Sequence, residues 1–361
     1  MSLVPKQGVL DIHVYVGGRS EAEGAQRVIK LSSNESPFGP SAAALQALAG
    51  AGQEIGVYPE GSSRLLRDAL AKFHDLPAER IVCGNGSDEI LTLLANAYLR
   101  PKDEVLMSVH SFPIYKIATQ ANSATPVEIS EPTLKMDVDA VLARVTGRTR
   151  MVYVGNPNNP TGTYLSMTEV KRLHEGLPAS VLLVIDAAYA EYVTRNDYGA
   201  GFDLVAASDN VVVTRTFSKA YGLAGLRVGW AFAPGHVIDT LNRVRAPFNV
   251  NVGAQRAAVA ALLDRAHTAH AVAHNGEWRQ WLSEKIRALG FDVTESAANF
   301  LLIHFPDVNG KRATDADAFL MRRGLILRGM AGYGLPNAMR LTVGTEEANR
   351  TVVKALAEFM A

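Results

Sequence analysis

The stretch Thr216-Phe217-Ser218-Lys219-Ala220-Tyr221-Gly222-Leu223-Ala224-Gly225-Leu226-Arg227 sets one lysine among apolar and small residues, with no acid nearby in sequence. Removing water from an amine disfavours its charged form. Such a lysine loses proton affinity and becomes a nucleophile able to condense with a carbonyl. The plainer alternative is a solvated loop lysine, which so many close-packing small residues disfavour. Arg227, eight residues on, is a candidate anion anchor.

Three further stretches carry chemistry. Gly84-Asn85-Gly86-Ser87-Asp88-Glu89 follows the short run Ile81-Val82-Cys83 and opens a helical pattern. A helix start there offers backbone N–H groups and a dipole to a phosphate. Glu89 stands where the dinucleotide fingerprint needs its third glycine, and no Walker-type Gly-Lys-Ser/Thr occurs. The ordinary alternative is a helix capped by Ser87 or Asp88. Asn156-Pro157-Asn158-Asn159-Pro160-Thr161-Gly162 follows another apolar run, where open α/β sheets bind ligands. Its two prolines stiffen the loop and would hold the Asn159 amide in one direction. Asp186 ends the apolar run Val181–Ile185, with Tyr189 three residues on. An acid at that edge either caps a helix or pairs with a protonated ring nitrogen, as a pyridinium cofactor requires.

The elements that must position these groups read as α/β. Short β-branched runs (Ile81–Cys83, Glu104–Val109, Met151–Val154, Val181–Ile185, Val211–Thr214) alternate with helical patterns such as Glu89–Leu99 and Met167–Glu175. The runs are nearly continuous in apolar residues, which marks strands buried on both faces of a mostly parallel sheet. From Gly253 to Leu289 the pattern turns long and helical. It leads to strand-like Phe300–Phe305, Leu325–Leu327 and Met339–Val343, helical Ala316–Arg323, and a closing helix from Glu346. The expected division is an arm over residues 1–32, a large domain over 33–250 and a smaller α+β domain over 251–361.

Composition narrows the function classes. The 361 residues hold 36 Lys+Arg against 36 Asp+Glu, so no electrostatic footprint of a nucleic-acid binder exists. The lone cysteine, Cys83, makes neither an intrachain disulfide nor a cysteine-based zinc site. No apolar run approaches the ~18–20 residues of a membrane span. Met1–Leu10 lacks a signal-peptide core, so a cytoplasmic protein is expected. His267, His270 and His274 share helical spacing, but no Cys or carboxylate completes a shell and no metal is expected. Trp278 and Trp281, on the same helix, are expected at the interdomain seam.

Taken together, the four stretches resemble the fold type I pyridoxal-phosphate aminotransferases, in the same order and over nearly the whole chain. Within that superfamily, Leu31-Ser32-Ser33-Asn34-Glu35-Ser36-Pro37, Tyr58-Pro59, Gly84–Glu89, Arg215–Gly229 and Arg340-Leu341-Thr342-Val343-Gly344 are most similar to the histidinol-phosphate branch. The resemblance implies a role for each matching residue. Lys219 would carry the cofactor and shuttle the substrate Cα proton, and Asp186 would keep the pyridine nitrogen protonated. Asn159 and Tyr189 would face the phenolic oxygen, and Phe112 would stack on the ring. The amides of Ser87 and Asp88, the Ser218 hydroxyl and Arg227 would hold the phosphate. Tyr58 would reach it from a neighbouring subunit, making a homodimer with shared sites. Arg340 would bind the substrate anion through its planar fork, with Tyr15, Asn159 and Arg328 lining the same pocket.

The implied reaction is transamination between L-histidinol phosphate and 2-oxoglutarate. An aromatic aminotransferase and a threonine-phosphate decarboxylase are alternatives on the same fold. A cofactor-binding transcription regulator would need a basic winged-helix region, and only about thirty unsuitable residues precede the motifs. Three positions in two stretches depart from the family: His110-Ser111 replaces a Pro-Thr ahead of Phe112, and Ala187 replaces an acid before Tyr189.

Overall fold

The computed structural model describes residues 3–22, 24 and 26–361. A short strand β1 (Ile29–Lys30) precedes the main body. There follow β2 (Ile81–Gly84), β3 (Glu104–Ser108), β4 (Thr125–Ile129), β5 (Thr149–Gly155), β6 (Leu182–Asp186), β7 (Val211–Thr216) and β8 (Gly229–Phe232). These seven form one sheet in the order β2-β8-β7-β6-β5-β3-β4. Only β8 runs against its neighbours β2 and β7; the pairs β7–β6, β6–β5, β5–β3 and β3–β4 are parallel.

Each expected strand is present, and the reason is visible residue by residue. Val152 and Val154 of β5 enter the core on one face of the sheet while Met151 and Tyr153 enter the other. Likewise Val211 and Val213 of β7 oppose Val212. Side chains alternate faces along a strand, so a strand covered by helices on both sides must be apolar throughout. β4 lies at the sheet edge and was not foreseen. Its residues are mostly part-exposed and include Pro126, a pattern a sequence reader assigns to loop.

The second body is built on β9 (Asp292–Thr294), β10 (Phe300–His304), β11 (Leu325–Ile326), β12 (Arg328–Gly329) and β13 (Ala338–Thr342). Four of these form an antiparallel sheet, β12-β13-β10-β9, and β11 pairs in parallel with β1. The start of the chain therefore supplies a strand to the smaller body, and Leu31 is buried in its core.

The expected helix over 253–289 is two helices, Val252–Leu263 and Arg265–Ala288. Asp264 interrupts it: its side chain accepts from the His267 N–H and caps the second helix. The first helix buries Ala254, Ala257, Ala258 and Ala261 in the core of the larger sheet. We therefore propose that the division between the two bodies falls at Asp264. Trp278 and Trp281 do not lie at the seam. They pack in the smaller core, beneath the Arg350 guanidinium of the closing helix Glu346–Met360. No helix among the described residues is long and apolar enough to cross a membrane.

Leu183 of β6 is fully buried at the middle of the large sheet. Leu183→Ala is expected to cost about 2–5 kcal/mol through the cavity it leaves, measurable as a lowered urea midpoint.

Candidate active site

Because six strands of the large sheet share a direction, the loops after β2, β3, β5, β6 and β7 all leave one edge. The reversed β8 begins at that same edge, two residues after Arg227. There a cavity of about 250 Å³ is lined by Ser87, Asp88, Phe112, Asn159, Asp186, Tyr189, Ser218, Lys219 and Arg227. Tyr15, Arg328, Tyr333 and Arg340 line it from the arm and the smaller body. Of the residues expected to bind cofactor or substrate, Tyr58 alone lies outside that lining. It is exposed and stacks on Phe248, with ring centroids 4.6 Å apart.

Lys219 follows β7 in the loop that turns back at Gly222. A Cβ there would lie 2.1 Å from the Gly39 carbonyl, and φ is +69°. Only glycine allows this approach. The Lys219 Nζ donates to the Ser33 carbonyl at 3.3 Å and has no carboxylate partner among the described residues. Burial, with the positive charge of Arg340 beside it, brings the amine down to about 8.

Asp186 ends β6 fully inside the protein. Its Oδ1 accepts from the Thr214 hydroxyl at 3.0 Å and its Oδ2 from the Tyr115 hydroxyl at 2.8 Å. Burial raises the carboxyl to about 6 even though both hydrogen bonds favour the charged form. It caps no helix. Thr214 is its register partner on β7.

At the other end of the cavity, the helix Ser87–Tyr98 starts with Gly86 as its cap, at φ +84°, and no side chain caps it. Ser87 and Asp88 are thus the first helical residues, not caps, and their N–H groups stay open toward the cavity. Asp88 instead pairs with Arg227 at 2.9 Å, and the Arg227 Nη1 also donates to the Ser218 hydroxyl at 3.3 Å. A Cβ at Gly86 would sit 2.5 Å from that guanidinium, so glycine shapes the cradle. Glu89 closes the loop from behind, accepting from the Asn85 N–H and from Asn249, both at 2.6 Å.

Arg340, on β13, donates to the Asn159 side-chain oxygen and, at 2.8 Å, to the Ser32 carbonyl. Its buried Nε has no partner. Arg328, part-buried at the cavity mouth, donates to the Val16 carbonyl of the arm at 2.6 Å. Tyr15 is half-exposed beside it.

Four residues that sequence reasoning passed over complete the site. Asn34, buried at φ +57°, donates to the Tyr189 hydroxyl at 2.9 Å. Tyr115 and Thr214 hold Asp186, and Tyr333 lines the wall near Arg340. Asn34 lay inside a quoted motif, and Tyr115 stands one helical turn after Phe112. Thr214 carried no signal beyond strand register. His110, one of the departures, does not line the cavity; its N–H donates to buried Glu131 at 3.2 Å. Ala187 is fully buried, with its N–H on the Thr214 carbonyl. The three histidines form no metal-binding group among the described residues. His267 and His274 bond the carbonyls of Gly39 and Gly344, and Phe38 packs between His270 and His274.

Residues 26–356 match the model of the aminotransferase class I and II family. The chain belongs to that family. Its members are transaminases that use pyridoxal phosphate. A protein from Rhodopseudomonas palustris (strain BisB18) called histidinol-phosphate aminotransferase is 55% identical over 99% of this chain and 98% of its own. One of the same name from Nitrobacter hamburgensis is 54% identical over the same shares. The fold is also that of a Sinorhizobium meliloti histidinol-phosphate aminotransferase solved with pyridoxal-5'-phosphate, at TM-score 0.89 and 25% identity, over 99% of this chain and 98% of that one.

The residues present fit the family's cofactor. The cavity offers an uncapped helix start and a guanidinium at one end, an unpaired amine beside it, and a buried carboxylate with lone pairs to spare. In the cofactor-free protein, modification of Lys219 by an amine-directed reagent is expected to reach half its limiting rate near pH 8. Arg340→Met removes a neighbouring positive charge, so that midpoint moves upward; mass-spectrometric labelling across pH checks both.

Proposed function

We propose that this enzyme transfers the amino group of L-histidinol phosphate to 2-oxoglutarate. The observation that carries the reading is the identity of 54–55% with curated histidinol-phosphate aminotransferases over nearly the full length of both chains. The pocket agrees with it. Arg340 and Arg328 present two guanidinium forks on the substrate side, with the Tyr15 ring near them. A guanidinium fork matches the paired oxygens of a phosphate or a carboxylate, so one site can serve the phosphate donor and the dicarboxylate acceptor in turn.

When bound, pyridoxal phosphate supplies an electrophilic aldehyde and a ring that accepts electrons. The Lys219 Nζ would hold the aldehyde carbon and then carry the proton between the substrate's amine-bearing carbon and its product position. An amine near 8 is neutral in roughly a fifth of molecules at pH 7.4, against about a thousandth for a solvated lysine, and that neutral form is what the task requires. Asp186 would hold a proton on the ring nitrogen, while Asn159 and Tyr189 would donate to the phenolic oxygen. Phe112 would cover the ring face. Ser87, Asp88, Ser218 and Arg227 would bind the phosphate through N–H, hydroxyl and guanidinium donors.

Tyr58 supports a homodimer. It stacks on Phe248, and Ile55, Val57 and Leu65, close to it in sequence, are exposed apolar residues as well. A second copy seated there would bring a Tyr58 hydroxyl to each phosphate cradle. The buried lone cysteine suits a reducing compartment, and we place the enzyme in the cytoplasm.

Lys219→Ala is expected to abolish turnover and the shifted absorbance of the bound cofactor. Half-reactions with histidinol phosphate, phenylalanine, tyrosine and threonine phosphate test the substrate. A tenfold preference for phenylalanine, about 1.4 kcal/mol in the transition state, would overturn the assignment. Mixing inactive Tyr58→Phe and Lys219→Ala chains should restore part of the activity, since one site of each hybrid dimer is then intact.

A further inference from the structure

The helix Pro113–Ala121 begins at the cavity with Phe112 as its cap, and its first turn brings Tyr115 into the cavity wall. Tyr115 is buried, with its hydroxyl 2.8 Å from the Asp186 Oδ2. Its ring is fixed from two sides. It stacks on Tyr153, with centroids 4.7 Å apart and planes at 7°, and meets the Phe112 ring edge-on at 6.0 Å. Tyr153 is itself anchored by a 3.1 Å bond from its hydroxyl to the Leu91 carbonyl. On β5, Gly155 leaves the room: a Cβ there would come within 3.3 Å of the Tyr115 hydroxyl.

We propose that Tyr115 is a positioning residue for the Asp186 carboxylate. Its hydroxyl occupies one lone pair of Oδ2, so the remaining lone pairs turn toward the cavity, and it keeps the buried carboxylate ionised. A phenol this deeply buried beside a carboxylate does not itself ionise, so it acts here only as a donor. The titratable groups around Asp186 are Asp88, Tyr115, Tyr153, Tyr189, Tyr198 and Lys219. Of these, only Tyr115 donates a hydrogen bond to the carboxylate; the other donor is the Thr214 hydroxyl. One helix start therefore carries both the Phe112 ring and the residue that aims the carboxylate.

The inference rests on the reading that Asp186 faces the cofactor's ring nitrogen, and the experiment separates the two. Cofactor-free protein is titrated calorimetrically with pyridoxal phosphate and with the analogue whose ring nitrogen is replaced by carbon. Asp186→Asn should weaken the first far more than the second. If it weakens both alike, the reading of Asp186 fails. Tyr115→Phe keeps the ring and its stacking but removes the donor. It is expected to weaken pyridoxal phosphate about tenfold and the analogue less than twofold, and to add nothing when combined with Asp186→Asn. Equal losses for both ligands, no loss for either, or a further loss in the double variant would overturn the positioning role.

Discussion

The site depends on an amine kept away from water and away from any negative partner. Burial of Lys219 costs the charged form its hydration, and nearby Arg340 adds to the penalty, so the neutral form is far more populated than in a solvated lysine. The rest of the architecture serves that condition. The parallel strands carry acid, amide and phosphate-binding loops to one edge, and the tight turn at Gly222 seats the lysine against the segment that covers it. A carboxylate placed beside the amine would restore its charge and its inertness. The acids nearby are committed instead: Asp88 to Arg227, Glu35 to Lys30, and Asp186 to Thr214 and Tyr115.

The cover is the segment Ser32-Ser33-Asn34. Three consecutive residues there touch three functional groups, through the Ser32 carbonyl, the Ser33 carbonyl and the Asn34 side chain. The segment runs directly out of β1, which belongs to the smaller body, and so joins the two sheets at the point where the chemistry takes place.

Much of this was legible in the residues themselves. The buried strands announced themselves because a sheet covered on both faces tolerates no polar alternation, and the loops after them then had to share an edge. Lys219, Asp186, Asn159 and Arg227 could be read because each stands at or within a few residues of a strand end, in a stretch whose small residues or prolines fix the loop. What escaped notice was set by tertiary contact. Thr214 looks like any strand threonine until register places it beside Asp186. Trp278 and Trp281 looked like seam residues, since nothing in a helical pattern says which neighbour its apolar face will meet. The break at Asp264 was hidden because alanine-rich periodicity continues across it, and a single capping carboxylate outweighed that continuity.

Arg340 is shared between Asn159 on one side and the Ser32 carbonyl on the other. Only two of the five guanidinium N–H groups are committed there, and the buried Nε is without a partner, so an incoming anion would meet spare donors on a fork already braced from both sides. The Ser32 carbonyl on that fork is one peptide unit from the Ser33 carbonyl resting on the Lys219 amine. A single strap thus braces the anion-binding cation and the nucleophile alike.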